Sequence, residues 1–367
     1  MTQDLTKSRL LSLDFMRGLI MVLLMLESVG LYHNLHRVTE GISLQLFFEQ
    51  FFHHPWNGLR FWDLIQPGFM FMAGTAMAYS LHRQQVQGVP WRESFIKVLK
   101  RSCWLFFWGV LDYAVRPGGL SFELWDVLTQ LSVTTLIAFF IFKWSYSAQI
   151  AFSLGLLVLT EILYRYTNIP NFDQPFTDQH NFGNFMDLVL MNKINKGGWV
   201  AINCIPTAAH TIWGAVVGKL LLSSVAGSEK IKWLLITGCI ALATGYVMDV
   251  TMTPIIKRIS TSSFVLASGG WCLLALCFFY WWIDLRNHKK YVQFFIVVGM
   301  NSLFIYIFIE IVGGRWFNGY IAALSNGLMS IIHVPLGLMG IITSLVIFSL
   351  EWGMCWFLYR KGIFFKI

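Results

Sequence analysis

An all-α bundle crossing a membrane about ten times is the fold class this sequence predicts, and three observations lead there. The first is composition: of 367 residues, 56% are hydrophobic and 13% charged, with mean hydropathy +0.60, beyond what a soluble globular domain carries. The second is spacing, since apolar windows of about 20 residues, enough to cross a hydrocarbon core of roughly 30 Å, recur from end to end. The third is charge. With the N-terminus cytoplasmic, the inner segments hold 18 of 27 Lys and Arg but only 6 of 19 Asp and Glu, a bias that places both termini inside. The pI near 9.2 therefore reports topology, and no nucleic-acid partner is expected, because such a partner needs a basic soluble face with interleaved aromatics.

Ten spans follow in order: 10–32, 58–81, 96–115, 122–142, 147–165, 199–223, 233–250, 262–283, 294–311 and 334–358. The first is too long for a signal peptide, carries Asp14, Arg17 and Glu27 and lacks a small-residue cleavage site, so it is read as retained. No repeat, low-complexity tract or long linker divides the chain, which makes 1–367 a single transmembrane domain. The longest outer segments, 33–57 and 166–198, each contain an amphipathic stretch ("ISLQLFFEQFF" and "NFMDLVLM") suited to lie in the interface plane over the bundle. On the inner side, "HRQQVQGVPWRESFIKVLKR" is basic and suits either anionic lipid or an anionic cofactor. The six cysteines lie in or beside apolar spans without metal-ligand spacing, so they read as small core residues and no metal is expected.

Ionisable groups inside a span cost ~2.5–3.5 kcal/mol each on insertion scales, so each needs a partner or a task. Asp14 and Arg17 are three residues apart on one helical face, placed either to neutralise each other or to meet an anionic ligand. Glu27 and Asp63 each sit about five residues from the outer end of their spans, roughly 8 Å deep. Asp126, Gln130 and Glu310 approach from the same side. Together they read as a ring for a cationic group, such as an ammonium on a sugar, or as helix-end carboxylates solvated by headgroups. In the sixth span Asn203, Pro206 and His210 interrupt an apolar helix, with His210 either a second functional histidine or a neutral core histidine bonded to another helix. Asn301 in the ninth span demands a partner, which an interhelical hydrogen bond or a substrate carbonyl would supply. At the outer mouth, "FFHHPWNGLRFWDLIQPGF" holds His53 and His54 beside a Trp56-Asn57-Gly58 turn. A histidine there suits acid/base or covalent catalysis. Asp63, ten residues later, reaches back to it only if the turn folds over the helix start, and would then favour the imidazolium.

Five blocks carry a resemblance: "RLLSLDFMRGLIMVLLML", "HHPWNGLRFWDLIQPGFMFMAGTAM", "GGWVAINCIPTAAHTIWGAVVGKLL", "TPIIKRISTSSFVLASGGWCLLALCFFYWWID" and "GMNSLFIYIFIE". In this order, and over nearly the whole chain, the sequence resembles the heparan-α-glucosaminide N-acetyltransferase family, closest to its short bacterial transmembrane glucosamine N-acetyltransferases. The resemblance implies a bacterial inner (cytoplasmic) membrane location and transfer of the acetyl group of cytosolic acetyl-CoA across the membrane to the amine of a glucosamine-type sugar. It implies His53 as the essential histidine, Asp63 as its partner and Asn57 as the asparagine of the turn. Two departures stand out: "LESVG" places Glu27 or Ser28 where lysosomal relatives have an active-site amide, and their long lumenal domain is absent. Acceptor recognition is therefore expected to differ, with heparan not the expected acceptor.

On that reading Arg17, Lys100 and Arg101, with Asp14 beside Arg17, meet the CoA phosphates at the inner face. The pantetheine arm passes between helices to His53. Asn57 or Asn301 donates to the developing oxyanion, and Glu27 holds the acceptor, with Trp56 and His210 also on the substrate side. Two other readings remain from the residues alone, a polysaccharide O-acetyltransferase and a sugar transporter. Lipid is an expected partner, and the aromatic-rich helix faces admit a homodimer.

Overall fold

The computed structural model describes residues 10–116 and 120–365. Asp4, Lys7, Arg9 and Lys366, counted above with the inner charges, lie outside the described residues. Among the described residues all regular elements are helical, apart from one isolated backbone bridge between Asn57 and Ile256.

The chain opens with α1 (Leu11–Ser28), which Gly30 in the left-handed region (φ 75°) breaks before α2 (Leu31–Val38), leaving a 63° bend where one continuous first span was expected. Next comes α3 (Leu44–Glu49), whose Leu44, Leu46 and Phe47 are exposed, as an interfacial stretch would leave them. A one-turn 3-10 helix, Phe61–Leu64, leads into α4 (Ile65–Val86) and then α5 (Trp91–Ala114). Both are long enough to span, but their Gln, Lys, Arg and acidic residues keep them from counting as apolar spans on composition. α6 (Val127–Phe140) starts at an Asp126 cap, in which the carboxylate accepts from Leu128 N at 2.7 Å. α7 (Tyr146–Tyr166), the outer α8 (Phe182–Met191), α9 (Cys204–Leu222), α10 (Gly227–Thr251) and α11 (Ser262–Phe279) follow. The predicted ninth span is not straight either. α12 (Val292–Gly299) turns by 72° at Asn301 into α13 (Ser302–Ile307), a π-helical stretch (Phe308–Phe317) and α14 (Asn318–Ile331), before α15 (Leu336–Arg360) closes the chain.

Among the described residues five helices are long and apolar enough to cross a membrane: α7, Ala201–Leu222, α10, Ser262–Leu285 and α15. The number rises to seven if each bent pair is one span, and this fits an integral membrane protein. Helices pack through small residues. Gly74 of α4 abuts Thr211 O of α9, and Gly214 of α9 abuts Phe71 O of α4, so a side-chain carbon at either position would collide with the opposite backbone. Gly18 and Gly299 do the same for α1 and α12, and Gly245 and Gly270 for α10 and α11. Phe71, Met21, Met25 and Met70 are fully enclosed, while α10 turns Trp233, Ile236, Ile240 and Val247 outward. An apolar exterior over an apolar core is what a hydrocarbon surrounding permits. The cysteine expectation holds for Cys272, Cys277 and Cys355, which are buried, but Cys103 and Cys239 are exposed on outer helix faces.

Candidate active site

Asp63 sits in the one-turn helix that starts the second predicted span, and the preceding loop folds back over it. Its Oδ2 accepts from Arg60 N (2.9 Å) and His54 N (3.2 Å), and its Oδ1 lies 3.0 Å from His53 Nδ1. The ten-residue gap is therefore closed by the turn. Gly58 makes the fold-back feasible: at φ 141° it occupies backbone space that favours glycine, and a Cβ there would strike the His54 ring.

A residue not anticipated completes the group. Lys257 Nζ lies 3.0 Å from His53 Nδ1 and 3.8 Å from Asp63 Oδ1, although 204 positions separate it from the histidine. The connector between α10 and α11 brings it there, because Gly58 N donates to Ile255 O at 2.8 Å and Asn57 bridges Ile256. Lys257 is 5% exposed, and Trp199 faces it at 5.3 Å and His53 at 5.5 Å. Burial pushes the Lys257 amine down to about 8, helped by Arg258 and opposed by Asp63 and Glu27. Burial and then Lys257 hold His53 below its ordinary value, despite Asp63. The expectation of an imidazolium is thus corrected: with a buried cation on the same nitrogen, the ring is held neutral.

The two contacts select opposite tautomers. Asp63 selects Nδ1–H and leaves the Nε2 lone pair free to act, whereas Lys257 donating to Nδ1 puts the proton on Nε2. Glu27 is exposed at the top of α1, although Met25 and Val29 on either side are buried, and it lies within electrostatic reach of Lys257. Asn57 contributes its backbone bridge and an exposed side chain, and Trp56 Nε1 donates to Phe176 O at 2.8 Å, docking the loop on segment 166–198. Asp126 does not join this ring, and Glu310 reaches it only electrostatically, through Glu27. Asp126 accepts from Tyr306 OH at 3.0 Å and, with Glu310, is grouped electrostatically with Asp112 and Arg116.

Two expected substrate-side residues lie elsewhere. His210 is fully enclosed, with Nε2 2.9 Å from Ser268 Oγ and 3.2 Å from Val265 O, so it ties α9 to α11. Its neighbour Thr211 is level with Gly74, eleven residues or roughly 16 Å down α4 from Asp63, too far to serve His53. Asn301 spends both ends of its amide on the C-terminal segment, donating to Ile363 O (3.1 Å) and accepting from Phe365 N (3.0 Å).

A cavity of about 580 Å³ is lined by Arg17, Arg83 and Arg101 at one side and by Phe69, Met72, Ala73 and Ala76 of α4 along its length. Those α4 positions recur at helical spacing on one face. Arg83 lies twenty residues from Asp63, roughly 30 Å, whereas Phe69 lies six away, roughly 9 Å. Asp14 pairs with Arg17 at 3.0 Å. Lys100 is exposed and does not line the cavity, since one residue turns it about 100° round α5 from Arg101, and Arg83 stands where Lys100 was expected. Among the described residues no group of three His, Cys, Asp or Glu is arranged to hold a metal ion. No family model matches the chain, and no curated protein is significantly similar to it.

Proposed function

We propose that the chain is a transmembrane N-acetyltransferase, moving the acetyl group of cytosolic acetyl-CoA to the amine of a glucosamine-type sugar on the other side of the membrane. The observation that carries this reading is the 3.0 Å contact of His53 Nδ1 with a fully buried Asp63, because it leaves Nε2 as a base or nucleophile at the mouth. Support for the donor side comes from three arginines at one end of an apolar cavity, chemistry that suits phosphates at a mouth and a thin pantetheine arm beyond. The arm has roughly 9 Å of α4 left to cover above Phe69. The family resemblance and the charge bias support ten spans with both ends cytoplasmic, and each of the ten predicted stretches contains a helix.

In the transfer, the acceptor nitrogen attacks the thioester carbonyl, His53 Nε2 takes the proton from that nitrogen, and the C–S bond breaks to release the CoA thiolate, which is then protonated. Alternatively Nε2 attacks the thioester carbonyl first and the C–S bond breaks to release the CoA thiolate. The amine then attacks the acetyl-imidazole, the N–acetyl bond to Nε2 breaks, and Nε2 takes the amine's proton. Lys257 supplies a buried positive charge on the Nδ1 side of the ring, where it holds the Asp63–His53 pair and adds a favourable field as negative charge develops on the carbonyl oxygen. Glu27 receives the acceptor's amino group, whose ammonium form gives one proton to water at the outer mouth before the free amine attacks. Incubating purified protein with labelled acetyl-CoA and glucosamine tests the reading: labelled N-acetylglucosamine is expected. Its absence overturns the proposal, as for a permease, while label on a hydroxyl-only acceptor redirects it to O-acetylation.

A further inference from the structure

A second cavity, of about 770 Å³, lies on another side of α4, near the end remote from His53. Its lining includes His82, Trp91, Lys143, Tyr146 and Lys219, and contains no Asp or Glu. His82 is nineteen residues from Asp63, roughly 28 Å along α4. The stretch from His82 to Ser94 supplies one wall, and the acyl-transfer reading makes no use of this cavity.

The two lysines differ from the cations that ion pairs hold elsewhere in the molecule. Arg17 pairs with Asp14, Arg116 and Arg315 with Asp112, Arg165 with Glu161, Lys193 with Glu123 and Lys257 with Asp63. Among the described residues neither Lys143 nor Lys219 has a carboxylate within 4.0 Å. Aromatic faces and a carbonyl hold them in place: Lys143 Nζ sits 4.2 Å from the Trp91 ring, and Lys219 Nζ sits 4.1 Å from the Phe142 ring while donating to Phe142 O. A carbonyl uses one of the three ammonium donors of Lys219 and supplies no full negative charge. Helix α9 does not need that charge at its end either, since Lys230 already donates to Leu221 O and Ser223 O at 2.8 Å. Two cations sharing a cavity without an acidic residue repel each other until an anion enters.

We propose that this cavity binds a phosphate group between Lys143 and Lys219, with His82, Trp91 and Tyr146 around it. Two sources carry that chemistry: the headgroup of an anionic phospholipid, for which basic pockets between helix ends are suited, and a soluble phosphate ester. The site stands apart from the arginine-lined cavity and does not depend on acetyl transfer.

The test is thermal unfolding of the purified full chain in mixed micelles titrated with phosphatidylglycerol or phosphatidylcholine, and separately with inorganic phosphate and glycerol phosphate. A saturable rise in Tm with phosphatidylglycerol but not with phosphatidylcholine is expected, and it assigns the site to lipid. A saturable rise with the soluble phosphates supports the same site and assigns it to a soluble ester. In either case Lys143→Gln should weaken apparent affinity roughly tenfold, the size of one charge-assisted hydrogen bond. Lys143 is exposed, so this variant tests the site even if Lys219→Gln fails to fold. Native mass spectrometry of the same samples counts the bound molecule directly. No rise with any anion, an equal rise with phosphatidylcholine, or an unchanged affinity in Lys143→Gln overturns the proposal.

Discussion

His53 and His210 show how little the residue type alone says. Both interrupt apolar sequence, and both find hydrogen-bond partners in the fold. His210 meets only a serine hydroxyl and a backbone carbonyl, and it is sealed between α9 and α11. His53 meets a carboxylate and an ammonium on the same nitrogen, and its ring is only half-buried. The difference lies in the charges that face each ring and in access to the second ring nitrogen. One histidine fastens helices, whereas the other has a carboxylate and an amine on one ring nitrogen and its second nitrogen at an accessible edge.

Paired substitutions sharpen this contrast most. His53→Ala should lower acetyl transfer ~10²–10⁴-fold, measured with labelled acetyl-CoA, while Tm stays near that of the parent. Near-normal turnover would falsify the assignment of the base. His210→Ala should behave oppositely, with kcat retained but unfolding easier by about 2–4 kcal/mol, because a filled, hydrogen-bonded core position is emptied. Lys257→Met comes next in size, with a loss on the order of 10²-fold if the ammonium stabilises developing charge. The same variant should move the acid limb of the pH–rate profile upward, since a cation that holds His53 below its ordinary value has gone. A structural role alone would leave that limb in place.

The parent profile has its own expected shape. Activity needs His53 neutral, so with its proton affinity depressed the rate should hold as pH falls through 6.5 and drop only below that. It also needs Lys257 charged, so the rate should fall again as pH rises past about 8. An acid limb at or above 6.5 would contradict the arrangement of His53 and Lys257. The smallest effect belongs to Trp56→Phe, which deletes the bond to Phe176 O and should cost about 1 kcal/mol in Tm-derived stability with little change in kcat.

The helical architecture was readable because hydrophobic runs declare helices, and the His53–Asp63 pair was readable because both lie in one short stretch around a turn. Lys257 escaped because nothing local marks it. It follows "TPII" between two spans and reads as one more outer charge until the backbone pairing at Ile255 and Ile256 carries it to the histidine. Asn301 and His210 were noticed as polar intruders, but the kind of partner each has depends on tertiary contacts that no spacing reveals. Arg83 and Lys100 were exchanged for a simpler reason: α4 is enclosed on several sides and α5 carries apolar residues on its exposed face, so apolar periodicity marks the phase of neither. The breaks after Ser28 and at Asn301 were hidden for a related reason, since hydropathy records length and polarity but not direction.

The pairing of Asn57 and Gly58 with Ile255 and Ile256 has a consequence for how the chain tolerates change in length. Thr253–Ile256 run from the end of α10 to the turn that holds Lys257, so losing a single residue there would break the register of the Asn57–Ile256 bridge and displace position 257 while altering no amino acid in the pocket. A one-residue deletion there should silence the molecule as thoroughly as removing the imidazole. The spacing of the connector is itself a component of the site.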